Sequence, residues 1–266
     1  MTGYDPATYW SDVARRARER GQGKDVAGDD SPYYRYKRHL FLKRFLSTIP
    51  VEGQRVLEVG CGPGGNLREL ALRKPSRLVG CDVAPGMVEL ARDAIDHLGA
   101  EVLLTDGSSL PFSDLEFDLS LTVTVLMHNS ANRVAKLASE LARVTTSSIF
   151  IIEDTVTTQT SDEFGVGEYG QVYPRTTSAF ADFLLPHGFE LVRAERLRTR
   201  ASQRANRLLL RLFERDGHKE GEPYSRVHWF AGQLALPFTR VIDRLMASPE
   251  DELTMMHFTR RQRPRG

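Results

Sequence analysis

The stretch Val56-Leu57-Glu58-Val59-Gly60-Cys61-Gly62-Pro63-Gly64-Gly65-Asn66-Leu67 constrains this chain more than any other. An apolar run with one acid leads into closely spaced glycines and then a helical pattern, which reads as a buried strand, a tight turn and a helix. Gly60, Gly62 and Gly65 satisfy the spacing of a dinucleotide-binding turn, and Asp82 follows roughly 20 residues on. Glu58 argues against that use. A dinucleotide turn offers backbone amides and a helix N-terminus to a doubly charged pyrophosphate, and a carboxylate at its mouth would repel the phosphates. The same carboxylate favours a ligand carrying positive charge.

Glu58, Gly60, Gly62 and Gly64 resemble the first motif of the class I S-adenosylmethionine-dependent methyltransferases. S-adenosylmethionine (SAM) has a sulfonium, an ammonium and a ribose but no phosphate, in keeping with Glu58. The resemblance covers about residues 50–195. Arg77 to Asp82 is similar to the family's second strand, Pro85 to Ala91 to the helix after it, and Asp106, Leu110-Pro111-Phe112 and Phe117-Asp118-Leu119 to its third-strand acid and the approach to its fourth strand. The resemblance implies an α/β fold with a doubly wound, mostly parallel seven-stranded sheet, SAM as cofactor and methyl transfer as activity. It puts Glu58 near the cofactor's amino end, acting through water or an amide. Gly60, Gly62 and Gly64 would admit the cofactor closely, with Val83 and Met87 beside it. Asp82 would accept both ribose hydroxyls, and Asp106, helped by the Gly107 backbone, the adenine amino group. The alternatives are a strand-end acid, a plain turn, a surface acid and a turn-capping aspartate.

A chain of 266 residues with 41% hydrophobic content can fill one α/β core with an appended element. The formal net charge of +1 excludes a generally polybasic or polyacidic protein. Cys61 and Cys81 read as small buried residues in a reducing compartment rather than a disulfide pair. No apolar run reaches the roughly 20 residues that span a bilayer, and the N-terminus lacks a signal-peptide pattern. A cytoplasmic protein without a membrane span is expected.

Residues 1–50 read as an N-terminal helical cap and 51–197 as the cofactor-binding core, with strands near 55–60, 77–82, 101–105, 117–124, 148–154 and 189–197. The helix near 131–143 is followed by Thr145-Thr146-Ser147-Ser148, read as a turn where many relatives carry Gly-Gly. Residues 198–250 read as a helical insertion between the last two strands, with helices near 202–215 and 227–247. It serves as a lid over the acceptor pocket or as a homodimer contact, and the lid is favoured. Residues 251–266 hold the last strand and a basic tail, Arg260 to Gly266, expected to fray.

Methyl transfer is an in-line displacement that requires alignment, exclusion of water and sometimes a base. His128, after the fourth strand, is the candidate base, since ligands of open α/β sheets sit at strand carboxyl ends and imidazole titrates near neutrality. Its alternative is cofactor-wall material. Tyr34 and Arg38 are candidate cofactor contacts, or else one aromatic and one basic helix face. Tyr9, Trp10, Glu153 and His228 are candidate acceptor contacts, with helix anchoring the alternative for Tyr9 and Trp10. His128, Glu153 and Asp154 could gather a metal, but adjacent strand residues face opposite ways, so none is expected. His257 reads as structural. Arg200, Arg204, Arg207, Arg211 and Arg215 form a basic stripe at helical spacing, suited to RNA or simply solvated. The near-neutral chain and the lack of an RNA-binding module weigh against nucleic acid. The expected acceptor is a small organic molecule such as a secondary metabolite, methylated on oxygen or nitrogen, or else on carbon. The rivals are an RNA methyltransferase, a nicotinamide dehydrogenase and a non-catalytic methyltransferase-like scaffold.

Overall fold

The computed structural model describes residues 5–21, 31–158, 165–167, 170–213, 222–245 and 252–261. Two helices come first, α1 (Pro6–Arg20) and α2 (Pro32–Arg44). Asp5 Oδ2 accepts from the Thr8 amide at 3.0 Å and Ser31 Oγ from the Tyr34 amide at 3.3 Å, and proline follows each cap. Strands and helices then alternate through β1 (Arg55–Val59), α3 (Gly65–Ala71), β2 (Arg77–Asp82), α4 (Pro85–Ala94), β3 (Glu101–Leu104), β4 (Phe117–Val123), α5 (Ala131–Val144) and β5 (Thr145–Thr155). A small hairpin of β6 (Gly165–Gly167) and β7 (Gly170–Val172) precedes α6 (Thr177–Leu184) and β8 (Phe189–Arg196). The insertion supplies α7 (Arg200–Phe213) and α8 (Arg226–Leu245), and β9 (Glu252–Arg260) follows.

The seven-stranded sheet runs β3-β2-β1-β4-β5-β9-β8, with β9 antiparallel to both its neighbours and the first five strands parallel. This is the doubly wound, mostly parallel sheet expected. Val56 and Leu57, adjacent in β1, are both fully buried and feed the cores on opposite faces, as a central parallel strand must. Phe45 belongs to one core and Phe117 to the other, and full burial of such a side chain is worth about 1.5–3 kcal/mol. Asp118 locks β4 to β1 by accepting from the Arg55 amide and guanidinium at 2.6–3.1 Å. The chain steps outward from β1 to β3 and returns to β4, so the strand order reverses between β1 and β4, where open α/β sheets hold ligands.

Two local expectations are corrected. Thr145 to Ser148 is no turn: β5 begins at Thr145, directly after α5. Buried Thr145 shares a 2.6 Å hydroxyl contact with Ser120 of β4, and Arg260 donates to the carbonyls of Ala142, Thr145 and Thr146. Arg260 is therefore a β9 residue, its guanidinium 4.5 Å from the Phe189 ring, and not the start of a frayed tail. The Arg261 amide bonds to the Gly188 carbonyl at 2.8 Å. Residues 262–266, Arg215, and segments 214–221 and 246–251 of the insertion and its flank lie outside the described residues.

Candidate active site

The carboxyl ends of β1 to β4 open onto one cavity of about 470 Å³, within the range of small-molecule pockets. The glycine turn forms one wall. Gly60, Gly62 and Gly64 have φ of 73°, 52° and 83°, the left-handed region that side chains disfavour. Their surroundings differ. A Cβ on Gly62 would meet open space, so this glycine faces the cavity. A Cβ on Gly60, also in the wall, would collide with Val125. Gly64 does not line the cavity: its Cβ would come within 2.9 Å of the Ala91 backbone, so it is glycine to let α4 approach, a correction to its expected cofactor role.

Asp82, at the end of β2, lines the cavity and accepts from the Gly62 amide on Oδ2 and the Ala84 amide on Oδ1, both at 2.9 Å. Burial raises its pKa against the pull of these amides. Gly62 thus gives its amide to a carboxylate, a donor that a pyrophosphate would otherwise claim. Asp106 lines the cavity and caps its own turn, Oδ1 accepting from Ser108 and Ser109 at 2.8 and 3.2 Å, which holds its pKa below the usual carboxylate value. Gly107 beside it has φ 71°, and a Cβ there would meet Val83 at 2.8 Å. Val83 and Met87 complete this wall.

Glu58 does not itself line the cavity. It is fully buried, and its Oε1 accepts from Asn66 Nδ2 at 2.7 Å while its Oε2 has no hydrogen-bond partner. Burial pushes the carboxyl up to about 8. Asn66 does line the cavity, and its Oδ1 accepts from Arg38, which lines it too. Glu58 therefore acts on the cavity only through an amide side chain that it orients.

Residues 56–148 match a family described as a methyltransferase domain. The chain is thus similar to methyltransferase domains over residues 56–148, and its sheet is that of the class I methyltransferase fold. In fold it is similar to the cyclase SpnF, with a TM-score of 0.65 and 17% identity over 96% of this chain and 94% of that one. It is also similar to magnesium protoporphyrin IX methyltransferase from Synechocystis with bound SAH, at a TM-score of 0.57 and 14% identity over 96% and 98%. Among curated proteins, the tRNA (carboxymethyluridine(34)-5-O)-methyltransferase of Arabidopsis thaliana is 32% identical over 41% of this chain and 25% of that protein. The ubiquinone biosynthesis O-methyltransferase of Azorhizobium caulinodans is 30% identical over 54% of this chain and 58% of that protein. The chain thus spans less than two thirds of the length of these relatives.

The rest of the cavity comes from α1, α2, the turn after β4 and α5. Trp10 lines it and meets His128, also in the wall, edge to face with ring centroids 5.1 Å apart. Tyr9 lies behind, edge-on to Trp10 and outside the lining. Tyr34 likewise stands outside the cavity, edge-on to Tyr33.

Glu153 is corrected. It is fully buried outside the lining, with Oε1 accepting from Val125 and Leu126 at 2.9 and 2.8 Å and Oε2 from Met127 at 3.3 Å. Burial pushes its carboxyl up to about 8 against these amides. It holds the turn that presents His128 rather than touching an acceptor. His228 is corrected too: it is buried between α8 and α7, with Nε2 3.2 Å from Asn206 Oδ1 and its ring against Tyr224. No described residue of the insertion lines the cavity; its helices pack on α2, so the wall that the lid was to provide is α1. Asp154 pairs with Lys37 at 3.3 Å, and no metal-binding group of three or more side chains occurs among the described residues. His257 stacks on Phe150.

Sequence reasoning missed Asn66, Arg133, Lys136 and Arg175. Arg133 and Lys136 line the cavity from the first turns of α5. Arg175 donates to the Leu126 and Asn129 carbonyls at 2.9 and 2.7 Å, bracing the His128 turn from its other side. Position after a strand end could have flagged Asn66; nothing local marks Arg175.

Proposed function

We propose that this protein is a SAM-dependent methyltransferase that moves a methyl group to an oxygen or nitrogen of a small organic acceptor, of secondary-metabolite type, in the cytoplasm. The observation that carries the reading is the convergence of Asp82, Asp106 and Arg38 on one cavity that His128 and Trp10 also line. These groups fit SAM. Asp82 keeps lone pairs for ribose hydroxyls after serving two amides, Asp106 can accept from an adenine amino group, and the Arg38 guanidinium can pair with a carboxylate. When bound, SAM supplies an electrophilic sulfonium methyl.

The chain's own task is then alignment and dryness. Trp10 and α1 exclude water from the β4 end of the cavity, and a ring nitrogen of His128 takes the proton that an acceptor hydroxyl or amine gives up. Both cysteines are buried and free, which supports a reducing compartment. A cavity walled by α1 supports a small acceptor. The tRNA-modifying Arabidopsis relative favours RNA as the second reading, but exposed Arg204, Arg207 and Arg211 belong to α7, which contributes nothing to the cavity.

Calorimetry tests the cofactor: SAM and its demethylated product should bind, and NAD weakly or not at all. NAD binding without SAM binding would sink the assignment. Labelled SAM offered with a metabolite panel and with bulk tRNA separates the two acceptor readings.

A further inference from the structure

The α7–α8 hairpin presents an apolar face that nothing in the described fold covers. On a helix turning about 100° per residue, Val227, Phe230, Leu234, Phe238, Val241 and Leu245 fall within about 80° of arc. All six are exposed, Phe230 by 66%, Phe238 by 75% and Leu245 by 79%. The opposite arc carries His228, Gly232, Leu236 and Asp243, all buried. Leu208 and Leu212 of α7 are exposed as well. So contiguous an apolar surface marks an interaction site.

Charge identifies the occupant. Arginines 200, 204, 207 and 211 lie on α7 and 226, 240 and 244 on α8, whereas the one acid in either helix is Asp243. Asp243 is buried and spent on the start of α7, accepting from the Ala201 amide at 2.7 Å and the Ser202 hydroxyl at 2.5 Å. Arg226, Arg240 and Arg244 occupy the arc beside the apolar stripe, and Arg204, Arg207 and Arg211 stand exposed on α7. The two helices therefore combine outward apolar groups with flanking cations and expose no acid between them, the acids Glu214, Asp216, Glu220 and Glu222 all falling in the segment that joins them.

We propose that this face docks on an anionic lipid bilayer, the apolar stripe entering the boundary between headgroups and acyl chains and the arginines meeting the headgroups. A second copy fits less well, because a two-fold contact of the helical face sets it against itself and brings arginine onto arginine with no exposed acid on either helix to separate them. Duplex RNA would engage the arginines and leave the aliphatic stripe in water. No described helix is long and apolar enough to cross a membrane, so the hairpin lies on the surface. The reading is independent of the cavity chemistry, since α2 stands between the hairpin and the cavity: Pro32 packs against Gly232, and Tyr36 lies under Arg240, while Arg38 faces the cavity.

Co-sedimentation of the full chain with phosphatidylcholine vesicles, with and without a third of phosphatidylglycerol, tests it. Binding should favour the anionic vesicles and weaken as salt rises. Phe230→Asp with Phe238→Asp should abolish it. Arg204→Gln with Arg211→Gln should weaken it roughly tenfold or more on anionic vesicles only. These side chains are exposed, so circular dichroism and the thermal midpoint should stay unchanged and separate lost docking from misfolding. Absence of binding to anionic vesicles at low salt overturns the proposal. So does a concentration-dependent dimer in light scattering that the phenylalanine substitutions dissolve, or tRNA binding that the arginine substitutions remove and the phenylalanine substitutions leave intact, if either occurs without vesicle binding.

Discussion

Asp82 serves the glycine turn and, in the function proposed above, the ligand as well. Each oxygen takes one backbone amide, from Gly62 or Ala84, and keeps capacity for a ribose hydroxyl. Asp82→Ala should weaken SAM binding by about 1.5–3 kcal/mol, the range for a hydrogen bond to a charged group. The thermal midpoint should also drop, because two amides lose their acceptor. Unchanged affinity in calorimetry of a folded variant would move the ribose contact elsewhere. In the function proposed above His128 serves the acceptor instead, so His128→Ala should lower turnover roughly a hundredfold to ten-thousandfold while SAM affinity stays constant. A full-rate variant in steady-state kinetics would mean that the acceptor sheds its proton unaided.

Between β4 and α5 the chain is held from outside itself. Thr124 has φ 53°, rare for a β-branched residue, and the turn after it is gripped by Glu153 through three amides and by Arg175 through two carbonyls. Glu153→Ala would orphan those amides and should cost about 2–3 kcal/mol in urea unfolding, with turnover reduced through misplacement of His128. Wild-type stability in that variant would show that the turn holds without the carboxylate. The sequence places Glu153 correctly at the end of β5 but says nothing of the turn it serves, some 26–28 residues earlier in the chain.

Across the molecule, buried acids should make stability depend on pH. Burial raises Glu58 from 4.5 to about 8, so between those values the folded protein keeps a proton that the unfolded chain releases. Its contribution is fully present below about pH 4.5 and is lost as pH rises through about 8. Glu153 moves in the same direction. The thermal midpoint of cofactor-free protein should therefore fall from pH 5 towards pH 8, and Glu58→Gln should flatten part of that fall. Equal slopes for the two proteins would show that Glu58 titrates alike in both states.

The sequence by itself left the β6–β7 hairpin and α6 open but determined the alternation of strands and helices from β1 to β5, the glycine turn and the acids at the ends of β2 and β3. Each of these is written in local periodicity, in backbone freedom at single residues, or in position relative to a strand end. Tertiary structure alone decided which segment walls the cavity, and it chose α1, with Trp10 against His128, over the insertion. It turned Glu58 onto Asn66, gave Glu153 to the turn after β4, and seated Arg260 on the end of α5. These outcomes depend on packing between segments distant in the chain, where a partner's identity leaves no periodic trace in either segment.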